Sequence, residues 1–434
     1  MNRNNKLSTN TKSRHFCEKE TNETLSLQEE YIKKYQVPFS ENIQVFEDIL
    51  PPESRHQEGG TCTIGSKIYL VGGANGTLFD YLNDEQELGK ERAVHNIEIN
   101  SLGHQHVSIY DMEDMTTTFG PTFPYTANHL PCALAPDGFT LHLTGGYFQS
   151  EEDKTKASHV FHYALDTSKE NSQWERKANM PSPRGGHGCD FMADGRMYCV
   201  GGSTSQNGPY SSDMFIYDPA TDTWEKGPSM IVPRDHIMES ATAIKGGTQL
   251  YVPGGRTHTT EVHPNEAHPY HFSTLNSVEI YDLKKKQWTR KKDILLGRAA
   301  ISVVPYHRFG RNLVPNLLLI GGEQFHGFNG KVERTVDEYD IQRDLYTCLE
   351  PLAWPMFGGG VGTHKGKLHV VSGAEWIGLT ATRRVQLYDL KEGTPPRQCF
   401  YDPVPVFDQW DRLWNANEPY PALRKTKDFP MILV

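Results

Sequence analysis

The stretch Arg196-Met-Tyr-Cys-Val-Gly-Gly202 decides the fold, because its pattern returns along the whole chain. Each copy is a short, mostly apolar run that ends in a pair of glycines, with serine in place of the first glycine in the last copy. The other copies are Lys67-Ile-Tyr-Leu-Val-Gly-Gly73, Thr140-Leu-His-Leu-Thr-Gly-Gly146, Gln249-Leu-Tyr-Val-Pro-Gly-Gly255, Asn316-Leu-Leu-Leu-Ile-Gly-Gly322 and Lys367-Leu-His-Val-Val-Ser-Gly373. Such a pattern predicts an array of similar structural units.

A second run follows each glycine pair and contains a tyrosine, usually followed by aspartate. The tyrosines are Tyr110, Tyr163, Tyr217, Tyr281, Tyr339 and Tyr388. In the best copies another aromatic residue stands seven positions later, at Trp224, Trp288 and Tyr346. Apolar runs of about five residues separated by turn-forming clusters predict antiparallel strands and hairpins. We therefore expect the aromatic residues in a core between packed sheets.

The glycine pair, the Tyr-Asp and the Trp, repeated at intervals of about 50 residues, together resemble the kelch repeat. The resemblance covers approximately residues 43–392 in six copies, which implies an all-β fold, a six-bladed β-propeller. Copy one has Phe119 near the Trp position, and copy six has Pro395 there. The segment from Ile43 to Leu50 resembles the outer strands of the other copies, so we predict that it completes the sixth blade.

These boundaries predict three regions. Residues 1–40 are polar, without a strand pattern, and are expected to be a disordered tail. Residues 41–395 form the propeller. Residues 396–434 are rich in aromatic residues and proline, and we expect them to pack on the propeller as a C-terminal extension.

Composition and charge exclude several classes of protein. The chain has 434 residues and a formal net charge of −10, which argues against a nucleic-acid partner. Its apolar runs are too short to span a bilayer, and the N-terminal region lacks the apolar stretch of a secretory signal. We therefore expect a cytoplasmic protein without a membrane association.

The seven cysteines predict no disulfide framework. They are odd in number, widely scattered and without a CxxC pair. Several of them, including Cys62 and Cys199, lie in alternating apolar runs. We expect these residues to be buried free thiols.

One face of the propeller is predicted to carry the function. The segments between the glycine pairs and the tyrosine runs are long and variable, whereas the turns after Tyr-Asp are short. In a four-stranded meander, these long segments and the links between blades emerge on the same side. Elaborated loops on a rigid scaffold are the usual place for a binding site.

Four arginines occupy similar places in the links between blades. The predicted ligand-binding residues are these arginines and the polar residues beside them, namely Arg55, His56, Arg184, His187, Arg234, Asp235, His236 and Arg298. Converging guanidinium groups would form a site for a carboxylate, a phosphate or an acidic peptide. The alternative is that arginine at this position belongs to the framework of the repeat, paired with backbone carbonyls or acidic residues.

Catalytic and metal sites have weaker signals in the sequence. Candidate acid–base groups are His236 and His187 with Glu323 and Glu375, which are expected at the same mouth. A histidine-rich segment contains His258, His263, His268 and His271. Its irregular spacing matches no short metal-binding motif, so no metal and no other cofactor is predicted.

Comparison with known kelch enzymes leaves the function open. Galactose oxidase has a similar central domain, but no residues of this sequence match its copper site. None match the iron-binding motif of plant specifier proteins either. N-acetylneuraminate epimerase is similar in kind, although no motif transfers. The leading hypothesis is a kelch-repeat binding protein that holds an acidic protein or a small anionic ligand. The alternative is an enzyme, such as an isomerase or epimerase, acting on a small anionic or sugar-like substrate.

Overall fold

The described part of the chain is an all-β propeller. The computed structural model describes residues 42–74, 104–149, 156–205, 208–258, 272–307, 315–326, 329–375 and 381–390. Six antiparallel four-stranded sheets form the blades, as the repeat predicts. The first strands of neighbouring blades contact one another around a common axis. The predicted tails at 1–40 and 396–434 lie outside the described residues.

Each blade is a meander that runs from the axis outward, and its four strands follow that order. The strands are Gly60–Ile64, Lys67–Val71, Val107–Asp111 and Thr117–Phe119 in blade one; Cys132–Leu134, Thr140–Thr144, His162–Asp166 and Glu175–Arg176 in blade two; Gly188–Phe191, Met197–Val200, Met214–Asp218 and Thr223–Gly227 in blade three; Thr242–Ile244, Gln249–Pro253, Val278–Asp282 and Gln287–Lys291 in blade four; Ser302–Tyr306, Asn316–Ile320, Val336–Asp340 and Leu345–Cys348 in blade five; and Gly360–His364, Lys367–Val371, Val385–Asp389 and Ile43–Phe46 in blade six.

The N-terminal strand closes the propeller, as predicted. Ile43–Phe46 pairs antiparallel with Val385–Asp389, with Ile43 opposite Tyr388. The sixth blade therefore combines both ends of the repeat region, and closure protects edges that would otherwise be open to another chain.

The repeated aromatic residues lie in the core, also as predicted. Five of the six tyrosines are at most 2% exposed, and the sixth, Tyr163, is half-buried. The indole N–H of Trp224 donates to the carbonyl of Ala178 at 2.8 Å, and Trp288 donates in the same way to Pro228. These bonds satisfy the buried indole donors and tie each outer strand to the segment that leaves the preceding blade.

The glycine pairs are where one blade meets the next. Gly254 and Gly255 both have positive φ, and the N–H of Gly255 donates to the carbonyl of Arg298 at 3.0 Å. A Cβ on Gly254 would lie 2.3 Å from that same carbonyl oxygen, so this position excludes a side chain. Ser372 replaces the first glycine in blade six with φ of +58°, and its hydroxyl accepts the N–H of His56 at 2.8 Å.

Disulfides correct one expectation from the sequence. Cys62 pairs with Cys132 between the first strands of blades one and two, and Cys189 pairs with Cys199 across two strands of blade three. Cys348 is disulfide-bonded as well. The expectation of free thiols was wrong because packing of neighbouring blades brings together first strands whose cysteines are 70 residues apart, and the antiparallel register of blade three places Cys189 opposite Cys199.

Segments that follow the glycine pairs build further structure on the loop face. Two of them supply the four strands of an accessory sheet, in the order Arg256–His258, Phe272–Thr274, Glu323–His326 and Asn329–Val332. Tyr147–Gln149 pairs with Lys156–Ser158 on the same face. Among the described residues, the helical element is a short 3-10 turn at Pro52–Ser54. None of the described residues form a helix long and apolar enough to cross a membrane.

Replacing Gly254 by valine tests the contact between blades four and five. We expect Gly254→Val to lose about 3 kcal/mol or more of unfolding free energy, from backbone strain and from collision with the Arg298 carbonyl. Gly246→Val is the matched control, since Gly246 has a similar φ of +66° and a Cβ added there would meet nothing within 4 Å. Equal losses in denaturant unfolding of the two variants would contradict the proposed role of the contact.

Peptide mapping under non-reducing conditions tests the disulfides. In protein whose thiols are alkylated at cell lysis, we expect linked peptides for Cys62–Cys132 and Cys189–Cys199. Reduction should lower the unfolding free energy by about 2–4 kcal/mol, because the first bond closes a long loop in the unfolded chain. Alkylated thiols at these four cysteines would contradict the pairing.

Candidate functional site

An equivalent residue with positive φ leads into the first strand of every blade. These six residues, called the axial ring below, are Glu58, His129, Gly186, His236, Ala300 and Gly358. Backbone hydrogen bonds join neighbouring members: Gly186 donates to His129 at 2.8 Å, Ala300 to His236 at 2.8 Å, and Glu58 to Gly358 at 2.7 Å. The backbone of the links thus surrounds the axis on the loop face.

Three members of the axial ring bring polar side chains together. Nε2 of His129 lies 3.1 Å from Oε2 of Glu58 and 3.0 Å from Nε2 of His236. Nε2 of His236 lies 3.5 Å from Oε1 of Glu58. All three side chains are buried, although they come from blades one, two and four.

Charged residues beside the ring complete the site. The axial cluster, as the name is used below, consists of Glu58, His129, Asp235, His236, Arg256 and Glu323, each at most 5% exposed. Asp235 accepts a hydrogen bond from Nε of Arg256 at 3.0 Å and another from the Tyr147 hydroxyl at 3.1 Å. Three acidic residues and a single arginine give the cluster an excess of carboxylates.

Two carboxylate oxygens in the cluster lack a hydrogen-bond partner among the described residues. They are Oε1 of Glu58 and Oε1 of Glu323, and the latter lies 3.9 Å from Nε2 of His236. A buried polar atom without a partner costs about 1–3 kcal/mol, and more when it is charged. Buried acceptors of this kind occur at functional sites, which makes the cluster a candidate for one.

The surroundings shift the pKa values of these groups in opposite directions. Burial opposes ionisation of Glu58, but contacts with His129, His236 and Arg256 outweigh it and lower its pKa to about 2. Burial, with the charge of Arg256, lowers the pKa of His236 to about 4. Burial and the nearby Glu58 raise the pKa of Glu323 well above its ordinary value. At neutral pH the cluster therefore combines the ionised carboxylate of Glu58 with the neutral imidazole of His236, and its surroundings disfavour ionisation of Glu323.

Three of the four predicted arginines, Arg184, Arg234 and Arg298, bind framework groups and do not line the mouth, which corrects the expected anion site for them. The Arg234 guanidinium is fully buried and donates to the Gly254 carbonyl at 2.7 Å and to the Glu279 carboxylate at 2.6 Å. Arg298 binds Asp337 in the same manner. Each acidic partner lies on the third strand of its blade, so these side chains reach away from the axis. They follow the framework alternative.

Arg184, which is also buried, follows the same pattern with Asp213 at 2.9 Å. In blade one His56 takes this position, since its carbonyl accepts the N–H of Gly373, and its Nδ1 lies 2.9 Å from the Gly72 carbonyl. Arg55 precedes the equivalent position by one residue. Through these contacts the side chains of Arg184 and His56 stabilise the blades, as the framework alternative predicts.

The remaining predicted residues have separate locations. Nε2 of His187 lies 2.8 Å from the Thr144 hydroxyl, between blades two and three. Glu375 contacts Arg384 within blade six. His258 is exposed and stacks on Tyr210, while His263, His268 and His271 lie outside the described residues. Of the predicted site residues, Asp235, His236 and Glu323 are brought together in the axial cluster.

Glu58, His129 and Arg256 were missed by the sequence reasoning. The prediction uses arginine as the marker of the link, whereas Glu58 and His129 come from links that have His56 and Ala127 at the equivalent position. Aligning the copies on the residue before the first strand would have placed Glu58 and His129 with His236. Arg256 directly follows a glycine pair, as Glu323 does, and that shared position was a usable signal.

The fold and this site define a β-propeller with a polar cluster at its axis. A family model described as the KLHDC2/KLHL20/DRC7 Kelch-repeats domain matches residues 60–307. The chain belongs to the kelch-repeat family.

Curated relatives agree with this assignment, and a solved structure shares the fold. The Kelch-like protein terF of Aspergillus terreus is 27% identical over 230 residues, which cover 51% of this chain and 46% of that protein. Kelch-like protein 36 of Mus musculus is 25% identical over 59% of this chain and 38% of its own length. The matched regions thus span less than half of these relatives. A solved structure titled "Structure of YjhT" shares the fold, with a TM-score of 0.56, 13% identity, and coverage of 80% of this chain and 98% of the other.

An arginine substitution tests the framework role of the links. Arg234→Ala should cost about 3–5 kcal/mol of unfolding free energy, because it leaves the Glu279 carboxylate buried without its partner. Arg343→Ala is the control and should cost less than about 0.5 kcal/mol, since the Arg343 side chain is 79% exposed beside Asp340. An unchanged melting temperature for Arg234→Ala would instead restore the anion-site interpretation.

Proposed function

We propose that this protein is a kelch-repeat binding protein whose ligand site is the axial cluster on the loop face. The supporting observation is the convergence of buried charged groups, with the carboxylate oxygens of Glu58 and Glu323 left without hydrogen-bond partners among the described residues. A packed core gains nothing from such groups, because each one opposes folding unless a ligand supplies the missing donor.

The chemistry of the cluster favours a small polar ligand that donates hydrogen bonds or carries positive charge. Its carboxylates outnumber its single guanidinium, and Arg256 is already bound to Asp235. A sugar-like molecule, which presents several hydroxyl donors, suits these acceptors. An acidic peptide finds less support, because the guanidinium groups of Arg184, Arg234 and Arg298 are bound to carboxylates of the framework.

A protein partner is a second candidate on the same face. Kelch-repeat domains commonly bind protein partners, and the accessory sheet ends in the edge strand Asn329–Val332. An edge strand offers unpaired backbone groups to an extended peptide. In that case the partner would lie on the accessory sheet, and the axial cluster would contribute little to its affinity.

The enzyme alternative uses the same axial cluster as the binding hypothesis. The two differ in whether the bound molecule is converted, so incubation of an identified ligand and analysis of the product separates them.

The disulfides bear on the compartment of the protein. The sequence predicts a cytoplasmic location; we infer an oxidising compartment instead, because disulfides are rare in the cytosol. The alkylation mapping of the disulfides tests this inference.

A panel of ligands measured by thermal unfolding tests the proposed function. The probes are neutral hexoses, an amino sugar, N-acetylneuraminate and a hexaglutamate peptide. We expect a neutral or cationic sugar to raise the melting temperature by a few degrees, because a ligand that binds only the native state stabilises it. Glu323→Gln, which keeps the size of the side chain, should reduce that shift by at least half.

Glu113→Gln is the matched control, because Glu113 lies in a turn on the opposite face and pairs with Lys365. It should retain the full shift. A melting-temperature increase with hexaglutamate alone, unchanged in Glu323→Gln, would contradict the proposed ligand class and favour the protein partner.

A further inference from the structure

We propose that Glu58, His129 and His236 form a binding site for one divalent first-row transition metal ion, with zinc as its simplest occupant. The inference deepens the proposed function, since the ion would lie inside the axial cluster. The site has no short sequence motif, because its three ligands come from three different blades. Glu58 and His129 are 71 residues apart in the sequence, and His129 and His236 are 107 residues apart.

The distances between the three side chains fit a common ion. Nε2 of His129 lies 3.0 Å from Nε2 of His236 and 3.1 Å from Oε2 of Glu58, and Nε2 of His236 lies 3.5 Å from Oε1 of Glu58. Metal bonds of about 2.0–2.2 Å, at right or tetrahedral angles, hold neighbouring ligand atoms about 3.0–3.5 Å apart. The side chains are therefore already spaced as ligands of one ion.

Two facing imidazole nitrogens are hard to explain without such an ion. At 3.0 Å, Nε2 of His129 and Nε2 of His236 have room for a single proton between them, and the Glu58 carboxylate stands beside both. All three residues are at most 4% exposed, so bulk water does not compensate the charge of Glu58. A cation placed among the three would accept an electron pair from each of them and offset the charge of Glu58.

The outer nitrogen of each histidine faces a group that orients the ring. Nδ1 of His129 lies 2.6 Å from the amide oxygen of Asn128, and Nδ1 of His236 lies 3.1 Å from the carboxylate of Asp235. The oxygen acceptor at Nδ1 of His129 places the proton there and leaves the lone pair on Nε2 for the metal, whereas Asp235 contacts His236 through charge without a hydrogen bond to Nδ1. Asp235 is held in turn by Arg256 and Tyr147, so this second layer is itself fixed.

The donor set selects the class of metal. Two imidazoles and one carboxylate suit zinc or ferrous iron, whereas calcium and magnesium prefer sites made only of oxygen. Glu323, whose Oε1 lies 3.9 Å from Nε2 of His236, stands beside the position that three protein ligands leave open. A ligand oxygen bound there would contact both the metal and Glu323, which links this site to the proposed binding of a polar small molecule.

Zinc binding by the full-length protein tests the proposal. Protein treated with chelator and dialysed is titrated with zinc chloride by calorimetry, and cobalt chloride is used for its visible absorption spectrum. We expect one zinc ion per chain, no heat with calcium chloride, and a cobalt spectrum of a four- or five-coordinate site. His129→Asn and His236→Asn should each weaken zinc binding at least 100-fold; asparagine also tolerates the positive φ of these positions.

The control variant changes His258, His263, His268 and His271 together to alanine. It should bind zinc as the unchanged protein does, because it keeps Glu58, His129 and His236, the three proposed ligands. Loss of zinc binding in this variant but not in His129→Asn would overturn the proposal, as would the absence of zinc binding by the folded, unchanged protein. Circular dichroism verifies folding, and Asn128→Ala, which removes only the outer acceptor, should weaken zinc binding about 10-fold or more.

This experiment uses no organic ligand, so its outcome is independent of the sugar panel. Zinc binding without a sugar-dependent shift would support the metal site and contradict the proposed ligand. If a sugar raised the melting temperature of a protein that does not bind zinc, the proposed ligand would be supported and the metal site would be contradicted.

Discussion

The structure depends on one backbone hydrogen bond that recurs at every boundary between blades. The N–H of the second glycine of each pair donates to the carbonyl of the residue that enters the next blade, at 2.8–3.0 Å in all six cases. The first glycine makes room for this bond, because a Cβ at Gly145 or Gly321 would collide with the same carbonyl. This hydrogen bond is thus the joint of the propeller, and its sixth occurrence, in which Gly373 follows Ser372 and donates to His56, closes the ring.

That joint also explains why the linking residue is so often arginine. Its carbonyl is fixed by the glycine, so its side chain enters the interior of the blade, where a long cation can reach an acidic residue on the third strand. Arg234 with Glu279 and Arg298 with Asp337 use the position in this way. A buried pair of this kind contributes less to stability than its contacts suggest, but it is costly to break. The arginines therefore maintain the blade and are not available to a ligand.

The same joint positions the candidate site. In each link, the residue two positions after the one that accepts this hydrogen bond has positive φ and lies at the axis. Six equivalent positions therefore converge there, and polar side chains at these positions contact one another. Glycine or alanine occupies three positions, and Glu58, His129 and His236 occupy the rest. The site differs in this respect from the core, in which equivalent positions carry equivalent side chains. Departure from the repeat, within a scaffold that follows the repeat, is what marks these residues.

The sequence by itself determined the repeated unit, the number of blades and the closing strand at Ile43–Phe46, because these follow from local periodicity in strand and turn residues. It also identified His236 and Glu323 as candidates, through their positions beside a link and a glycine pair. Only the tertiary structure decided which side chains meet. Packing of the blades around one axis brought Glu58 and His129 to His236, joined Cys62 to Cys132, and directed the arginine side chains toward the third strands of their blades. The physical reason is that a propeller places equivalent positions from different blades side by side at its axis: the periodicity of the sequence shows which positions are equivalent, but not which of their side chains face one another.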